Sequence, residues 1–334
     1  MNVLFHVSYP LDWLPGGHAV QIRETAAALQ ELGVGVHWLH AEEMPPCAEI
    51  LHYWTRPPND LHWQTAKARG LRLVLSEYHQ SAALRRRWTW PVRGALRPFL
   101  PALLGQGLAG TLGVGIYRAC DAAIAVNRHE AEYMQAVFGV PPARCHVIPN
   151  GVRPEFRPDG PVESFDGLIY PAYICERKNS VAVARAAKAA QIPVKFVGGA
   201  VPREPAYAEH FRREVDGRWV FWEGEIESPA RMAAILRGAR GAFLASRDEG
   251  QGIALLEALA CEKPVMGPDL PSLRSYYGEG IRYCQSAETE SLGSALTSFY
   301  RDASKGLRMP FPTLSWHDIA LSLLSVYRAG RVLG

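Results

Sequence analysis

Glu249 and Glu257 lie in the run Ser-Arg-Asp-Glu-Gly-Gln-Gly-Ile-Ala-Leu-Leu-Glu-Ala-Leu-Ala-Cys-Glu-Lys-Pro, residues 246–264. The spacing predicts a polar loop with Glu249, a glycine turn at Gly250 and Gly252, and an apolar helix from there to Cys261. Glycines let backbone approach a ligand closely. A helix N-terminus with bare N–H groups, here near Ile253, suits a phosphate. Glu249 can accept hydrogen bonds from sugar hydroxyls, and Glu257, about two turns along, from a ribose diol. A solvated loop carboxylate and an exposed helix carboxylate are the plain alternatives. The apolar neighbours of Glu257 argue against an idle group there.

Four further places carry candidate chemistry. Lys178, in Glu-Arg-Lys-Asn, follows an expected strand and could neutralise a departing phosphate, although chemistry alone favours a solvated loop lysine. Gly16-Gly17 opens the first helix as a phosphate turn or as a turn only. His79 stands just past the strand Leu71–Ser76, at the end where parallel sheets bind ligands, and reads equally as structural. His52, inside Ile-Leu-His-Tyr-Trp, reads as packed or acceptor-side. Glu77 has no stronger claim than a surface carboxylate.

The elements that must position these groups alternate between strand and helix. Val3–Ser8, Gly35–His40, Ile50–Trp54, Leu71–Ser76, Ala122–Val126 and His146–Ile148 read as strands, with a helix over Ala19–Leu32. After a proline-bearing polar stretch the rhythm restarts with Gly167–Tyr170, Val194–Val197, Trp219–Trp222, Ala242–Leu244 and Pro264–Met266, separated by helices Ala182–Ala190, Pro229–Arg237 and Gly252–Cys261. A final helix covers Ser315–Arg328, with Ser315 as its cap. This is an α/β chain of two doubly wound parallel sheets, joined near residues 152–165, with a ligand cleft expected between them.

Composition narrows the function. The 334 residues suffice for two domains, 48% are apolar and 21% charged, and the net charge is +3. A charge that small gives no ground for a nucleic-acid partner. No apolar stretch reaches about 18 residues, so no spanning helix is expected. The six cysteines are scattered, without CxxC, which points to a reducing cytoplasm and to neither zinc nor disulfides. The first strand is not followed by GxGxxG with a later acidic partner, which argues against a nicotinamide oxidoreductase. Between Glu77 and Asp121 there is no acidic residue but six arginines, Arg85, Arg86, Arg87, Arg93, Arg97 and Arg118. That stretch reads as a peripheral contact with an anionic membrane at its inner face, as a docking site for a lipid-phosphate acceptor, or as a solvated face on an acceptor loop and helix.

Glu249 and Glu257 match the E-x7-E motif of retaining GT-B glycosyltransferases, and the chain resembles glycosyltransferase family 4. Glu-Gly-Gln-Gly is similar to the family's E-G-F-G, Leu-Glu-Ala-Leu-Ala-Cys-Glu-Lys-Pro-Val to L-E-A-M-A-C-G-x-P-V, and Val147–Val152 to V-I-P-N-G-V. The resemblance implies a GT-B fold: an acceptor-side Rossmann-like domain over 1–155, a donor domain over 156–314, and a helix over 315–334 crossing back to the first. It implies a nucleotide-diphosphate sugar, UDP- or GDP-linked, as substrate, with no cofactor and no metal. It further implies that Gly16-Gly17 lie against the donor diphosphate, that His79 lies near the anomeric end of the sugar, and that Lys178 is the family lysine. Tyr173 stands where the family places an arginine, so Arg177 or Arg247 must supply that charge. The resemblance thus implies a metal-independent, retaining hexosyltransferase that moves a sugar to an acceptor hydroxyl. A GT-B protein that binds a nucleotide sugar without transferring it, and a sugar-nucleotide epimerase, are the alternatives.

Overall fold

A computed structural model describes residues 1–13, 16–39, 48–77, 89–96, 99, 114–285, 289–307 and 309–329. The chain forms two compact units, Met1–Asn150 with Trp316–Gly334, and Gly151–Ser315. The second begins at Gly151 for a local reason. The Val152 N–H bonds the Leu314 carbonyl, Val152 pairs with Ser315, and Phe156 joins the second unit's core. Ser315 therefore sits in this bridge, directly before the last helix.

The first unit holds β1 (Asn2–His6), β2 (Gly35–Trp38), β3 (Ile50–Tyr53), β4 (Arg72–Leu75), β5 (Ala122–Ala125) and β6 (Cys145–Val147). They form one parallel sheet in the order β2-β1-β3-β4-β5-β6. The order reverses between β1 and β3, which makes that edge the natural ligand crevice of this unit. Helices α1 (Gly17–Glu31), α2 (Asp60–Ala68), α3 (Trp90–Leu96), α4 (Ile116–Ala119) and α5 (Arg128–Phe138) accompany it. Side-chain caps start two of them: Asn59 accepts from the His62 N–H and Asn127 from the Glu130 N–H. Gly139, at φ 71°, closes α5 in the left-handed form that glycine adopts without strain.

The second unit holds β7 (Leu168–Pro171), β8 (Val194–Val197), β9 (Val220–Gly224), β10 (Gly241–Phe243), β11 (Val265–Pro268) and β12 (Arg282–Cys284). Its parallel sheet runs β12-β11-β10-β7-β8-β9. The helices are α6 (Ser180–Ala190), α7 (Pro205–Arg212), α8 (Pro229–Gly238), α9 (Ile253–Ala260), α10 (Pro271–Tyr277) and α11 (Thr289–Ser304). The central strands are buried except at Pro171, as continuous apolar runs in a doubly covered sheet require. The switch point falls between β7 and β10, where Leu168 pairs with Gly241 and Ile169 with Ala242. Loops leaving the C-terminal ends of these two strands must therefore meet.

The last helix, α12 (Trp316–Arg328), packs against α1 within the first unit. Among the described residues no helix is long and apolar enough to cross a membrane.

Candidate active site

In the second unit, the loop after β7 carries Arg177 and Lys178, and the loop after β10 carries Asp248 and Glu249. Lys178 Nζ lies 2.5 Å from Glu249 Oε2, with the two side chains 13% and 10% exposed. Ser246 Oγ donates to the same oxygen at 3.3 Å. Burial pushes the Glu249 carboxyl up, but the charges of Lys178 and Arg177 and these hydrogen bonds outweigh it and hold it below the ordinary carboxylate range. Glu249 is thus an ionised acceptor in a nearly dry place.

The two loops are zipped to each other by backbone. The Arg247 N–H donates to the Arg177 carbonyl at 2.9 Å, and Arg177 Nη1 donates to the Asp248 carbonyl at 3.3 Å. Arg177 therefore acts on Glu249, whereas Arg247 pairs with Glu176 between side chains 57% and 67% exposed, where a pair contributes little. Of the two arginines, Arg177 is the one whose charge reaches Glu249. Tyr173 is neutral, and its hydroxyl donates to Glu225.

Three residues invisible to sequence patterns hold this geometry. The buried Tyr170 hydroxyl donates to the Lys178 carbonyl and accepts from the Ala245 N–H at 3.4 Å, so one oxygen joins both loops. Ser272 Oγ donates to the Glu249 carbonyl at 2.5 Å, and the Tyr277 hydroxyl to the Gly252 carbonyl at 3.4 Å. Helix α10 thereby grips the acidic loop at both ends. Tyr170→Phe should keep the fold, lose about 1–3 kcal/mol in urea unfolding for the two groups it leaves unmet, and lower kcat about ten- to a hundredfold with little change in donor KM. A variant with wild-type kcat would deny Tyr170 its positioning role.

Gly252 caps α9 at φ 75° without a side-chain bond, leaving the first helical N–H groups, beginning at Ile253, for a ligand. Gly250 lies in the turn before it. Glu257 is half-buried rather than enclosed: α9 buries Leu255, Leu256, Ala258 and Leu259 and turns Ile253, Ala254 and Glu257 outward. Ile253 and Glu257 thus share a face, about 6 Å apart along the axis.

The first unit collects the other sequence-predicted groups. Gly16, at φ 145°, caps α1, and Gly17 opens it; Tyr9 and His18 are bonded beside them at 2.9 Å. His52 is fully buried, with Nδ1 2.5 Å from the Tyr327 hydroxyl and Nε2 2.7 Å from Ser76 Oγ. Burial lowers its pKa to about 3, and both nitrogens are engaged, so His52 here packs α12 onto the sheet. Glu77 is committed as well: Arg56 approaches it at 3.1 Å and the Tyr117 hydroxyl donates to it. His79, Arg85, Arg86, Arg87 and Arg97 lie outside the described residues.

Two sequence families match: Glycosyltransferase Family 4 over residues 48–156 and Glycosyl transferases group 1 over residues 178–302. Together they span more than two thirds of the chain. The chain is a GT4-like glycosyltransferase. Solved structures agree on the fold of this glycosyltransferase. Sucrose-phosphate synthase from Thermosynechococcus elongatus superposes at TM-score 0.66 with 16% identity, covering 98% of both chains. A glycosyltransferase from Rickettsia africae ESF-5 gives 0.66 with 12% identity, covering 98% of this chain and 97% of its own. HepE from Anabaena, solved in complex with UDP, gives 0.64 with 14% identity, covering 97% and 94%. At these identities the likeness shows the architecture, which is GT-B. No curated protein matches the sequence. The family assigns sugar transfer to the chain.

Proposed function

We propose that this glycosyltransferase moves a sugar from a nucleotide-diphosphate donor to an acceptor hydroxyl with retention at the anomeric carbon. One observation carries the reading: the Lys178–Glu249 pair, nearly buried at the β7/β10 switch point beside a bare helix N-terminus. In this reading Glu249 accepts hydrogen bonds from donor-sugar hydroxyls and Glu257 from the ribose. Lys178, Arg177 and the backbone at Gly250, Gly252 and Ile253 face the diphosphate. The anomeric carbon–oxygen bond breaks with its electron pair leaving on the phosphate, where the cations gain strength as charge develops. The acceptor oxygen bonds the same face of that carbon, and its proton passes to the departing phosphate oxygen. Because two side-chain cations stand there, we read the reaction as metal-independent. UDP or GDP donors are the classes we propose. Gly16 and Gly17 are the phosphate turn we propose for the first unit, and His79 keeps its role near the anomeric carbon.

Two finer readings accompany this one. Five free cysteines among the described residues support a reducing, cytoplasmic setting. Val92 and Leu96 of α3, and Phe99 beyond its end, exposed by 55, 58 and 61%, support peripheral contact of the basic stretch with anionic lipid.

The neutral Tyr173, held by Glu225, favours the one competing reading, a GT-B protein that binds a nucleotide sugar and leaves it intact. Incubation with UDP-glucose, UDP-N-acetylglucosamine, GDP-mannose, ADP-glucose and TDP-glucose separates the two. Transfer or slow hydrolysis should release one nucleoside diphosphate, and that diphosphate at a hundred times its Kd should stabilise the fold by about 2.7 kcal/mol. Binding without release from any donor would establish the silent scaffold. Neither binding nor release would remove the donor site altogether.

A further inference from the structure

Asp248 stands next to Glu249 and has no part in the mechanism above. Its side chain is 4% exposed, and Oδ1 is shut off from solvent with no hydrogen-bond donor in reach. Such oxygens are rare in folded proteins, because burial strips their water and gives nothing back. The donors around it are spent elsewhere. Lys178 Nζ and Ser246 Oγ go to Glu249, and Arg177 Nη1 goes to the backbone carbonyl of Asp248 and not to its carboxyl. Burial, and then the negative charge of Glu249, push the Asp248 carboxyl up to about 7, against the pull of Arg177 and Lys178. The groups that set its charge are therefore those that form the proposed donor site.

We propose that Asp248 is a specificity-determining residue of the donor site, its Oδ1 accepting a hydrogen bond from a hydroxyl of the sugar being transferred. The inference rests on the donor-site reading and adds to it which oxygen is missing a partner. Above pH 7, where the Asp248 carboxyl is mostly ionised, a phosphate cannot fill the position: it brings acceptors only, and the two adjacent carboxylates repel it. The diphosphate has its own cations and helix end. What fits is a neutral group with an O–H to give, and Glu249, the next residue, is the one assigned to sugar hydroxyls. A buried acceptor built to be met by a substrate hydroxyl discriminates sharply against the sugar that lacks it, since the vacancy is then carried into the transition state.

The test uses the full chain, Asp248→Asn and Asp248→Ala, and whichever donor of the five above releases most nucleotide, with its monodeoxy analogues. Wild type should lose at least tenfold in kcat/KM on one analogue relative to the parent sugar. Both variants should lose that discrimination while keeping nucleoside diphosphate binding. Without ligand at pH 8 both should melt at or above the wild-type temperature, because an unmet buried carboxylate has been removed; a structural residue would give the opposite. Equal deoxy penalties in wild type and variants, or melting several degrees lower in both variants, overturns the proposal while leaving the donor site standing. Silence of wild type toward all five donors strikes down the donor reading and this proposal with it.

Discussion

Glu249→Gln is expected to lower kcat about a hundred- to a thousandfold while nucleoside diphosphate binding stays within about threefold of wild type. The substitution keeps shape and one acceptor oxygen. It removes the negative charge that would strengthen hydrogen bonds from the sugar hydroxyls as the anomeric carbon turns cationic. In the proposed reading the diphosphate is met by Lys178, Arg177 and the α9 N-terminus, so its affinity should not follow. Isothermal titration with the diphosphate and initial rates with the intact donor give the two numbers. Full turnover would remove Glu249 from the site, and equal loss of binding and turnover would make it a structural residue.

The sequence makes this region legible because its chemistry is local. Glycine turn, helix start and both glutamates fall within one run of residues 246–264. The parallel strands are legible for the same reason, being short apolar runs bounded by turns. Elements are lost where burial is polar. Helix α5 buries His129 and Glu130 together with Ala131, Tyr133, Met134 and Val137, so its apolar stripe is broken in the sequence. Glu130 can be buried there because its carboxylate accepts from the Val126 N–H, a contact no periodicity announces. Strand β12 is three residues with one buried, too short to show alternation.

The rest of the site was illegible because it is made across distance. Tyr170 meets Ala245, Ser272 meets Glu249, and Lys178 meets Glu249 only once two strands far apart in sequence become neighbours. His52 is decided across distance too. Its motif leaves a packed and an acceptor-side role open, and Tyr327, from the far end of the chain, meets its Nδ1. The helix face of Glu257 likewise depends on which residues α9 packs inward. An apolar sequence neighbourhood is not burial when the helix has an outer side.

Lys178→Met gives the second large effect, and here stability and activity should separate. Removing the lysine leaves Glu249 charged in a place where its side chain is 10% exposed. Breaking one side of such a pair costs about 3–5 kcal/mol, and Arg177, still present, places the expectation at the lower end of that range. Turnover should fall at least a hundredfold, because the cation proposed to face the leaving phosphate is gone. The pH dependence has a defined sign. In the wild type the Glu249 carboxyl is held below its ordinary value. The stability it adds is therefore fully present above the unfolded-state pKa of about 4.3 and disappears as pH falls through the lower folded value. The stability gap between wild type and Lys178→Met should accordingly be full at pH 7 and close below about pH 4, as urea unfolding at several pH values would show. The double variant Lys178→Met/Glu249→Gln should regain most of the lost stability, since a neutral pair of similar volume replaces the ion pair without leaving a charge stranded. It should regain no turnover. Recovery of both would mean that the pair holds the loops together and touches no substrate. Recovery of neither would mean that the loss arises from disrupted packing and not from a stranded carboxylate.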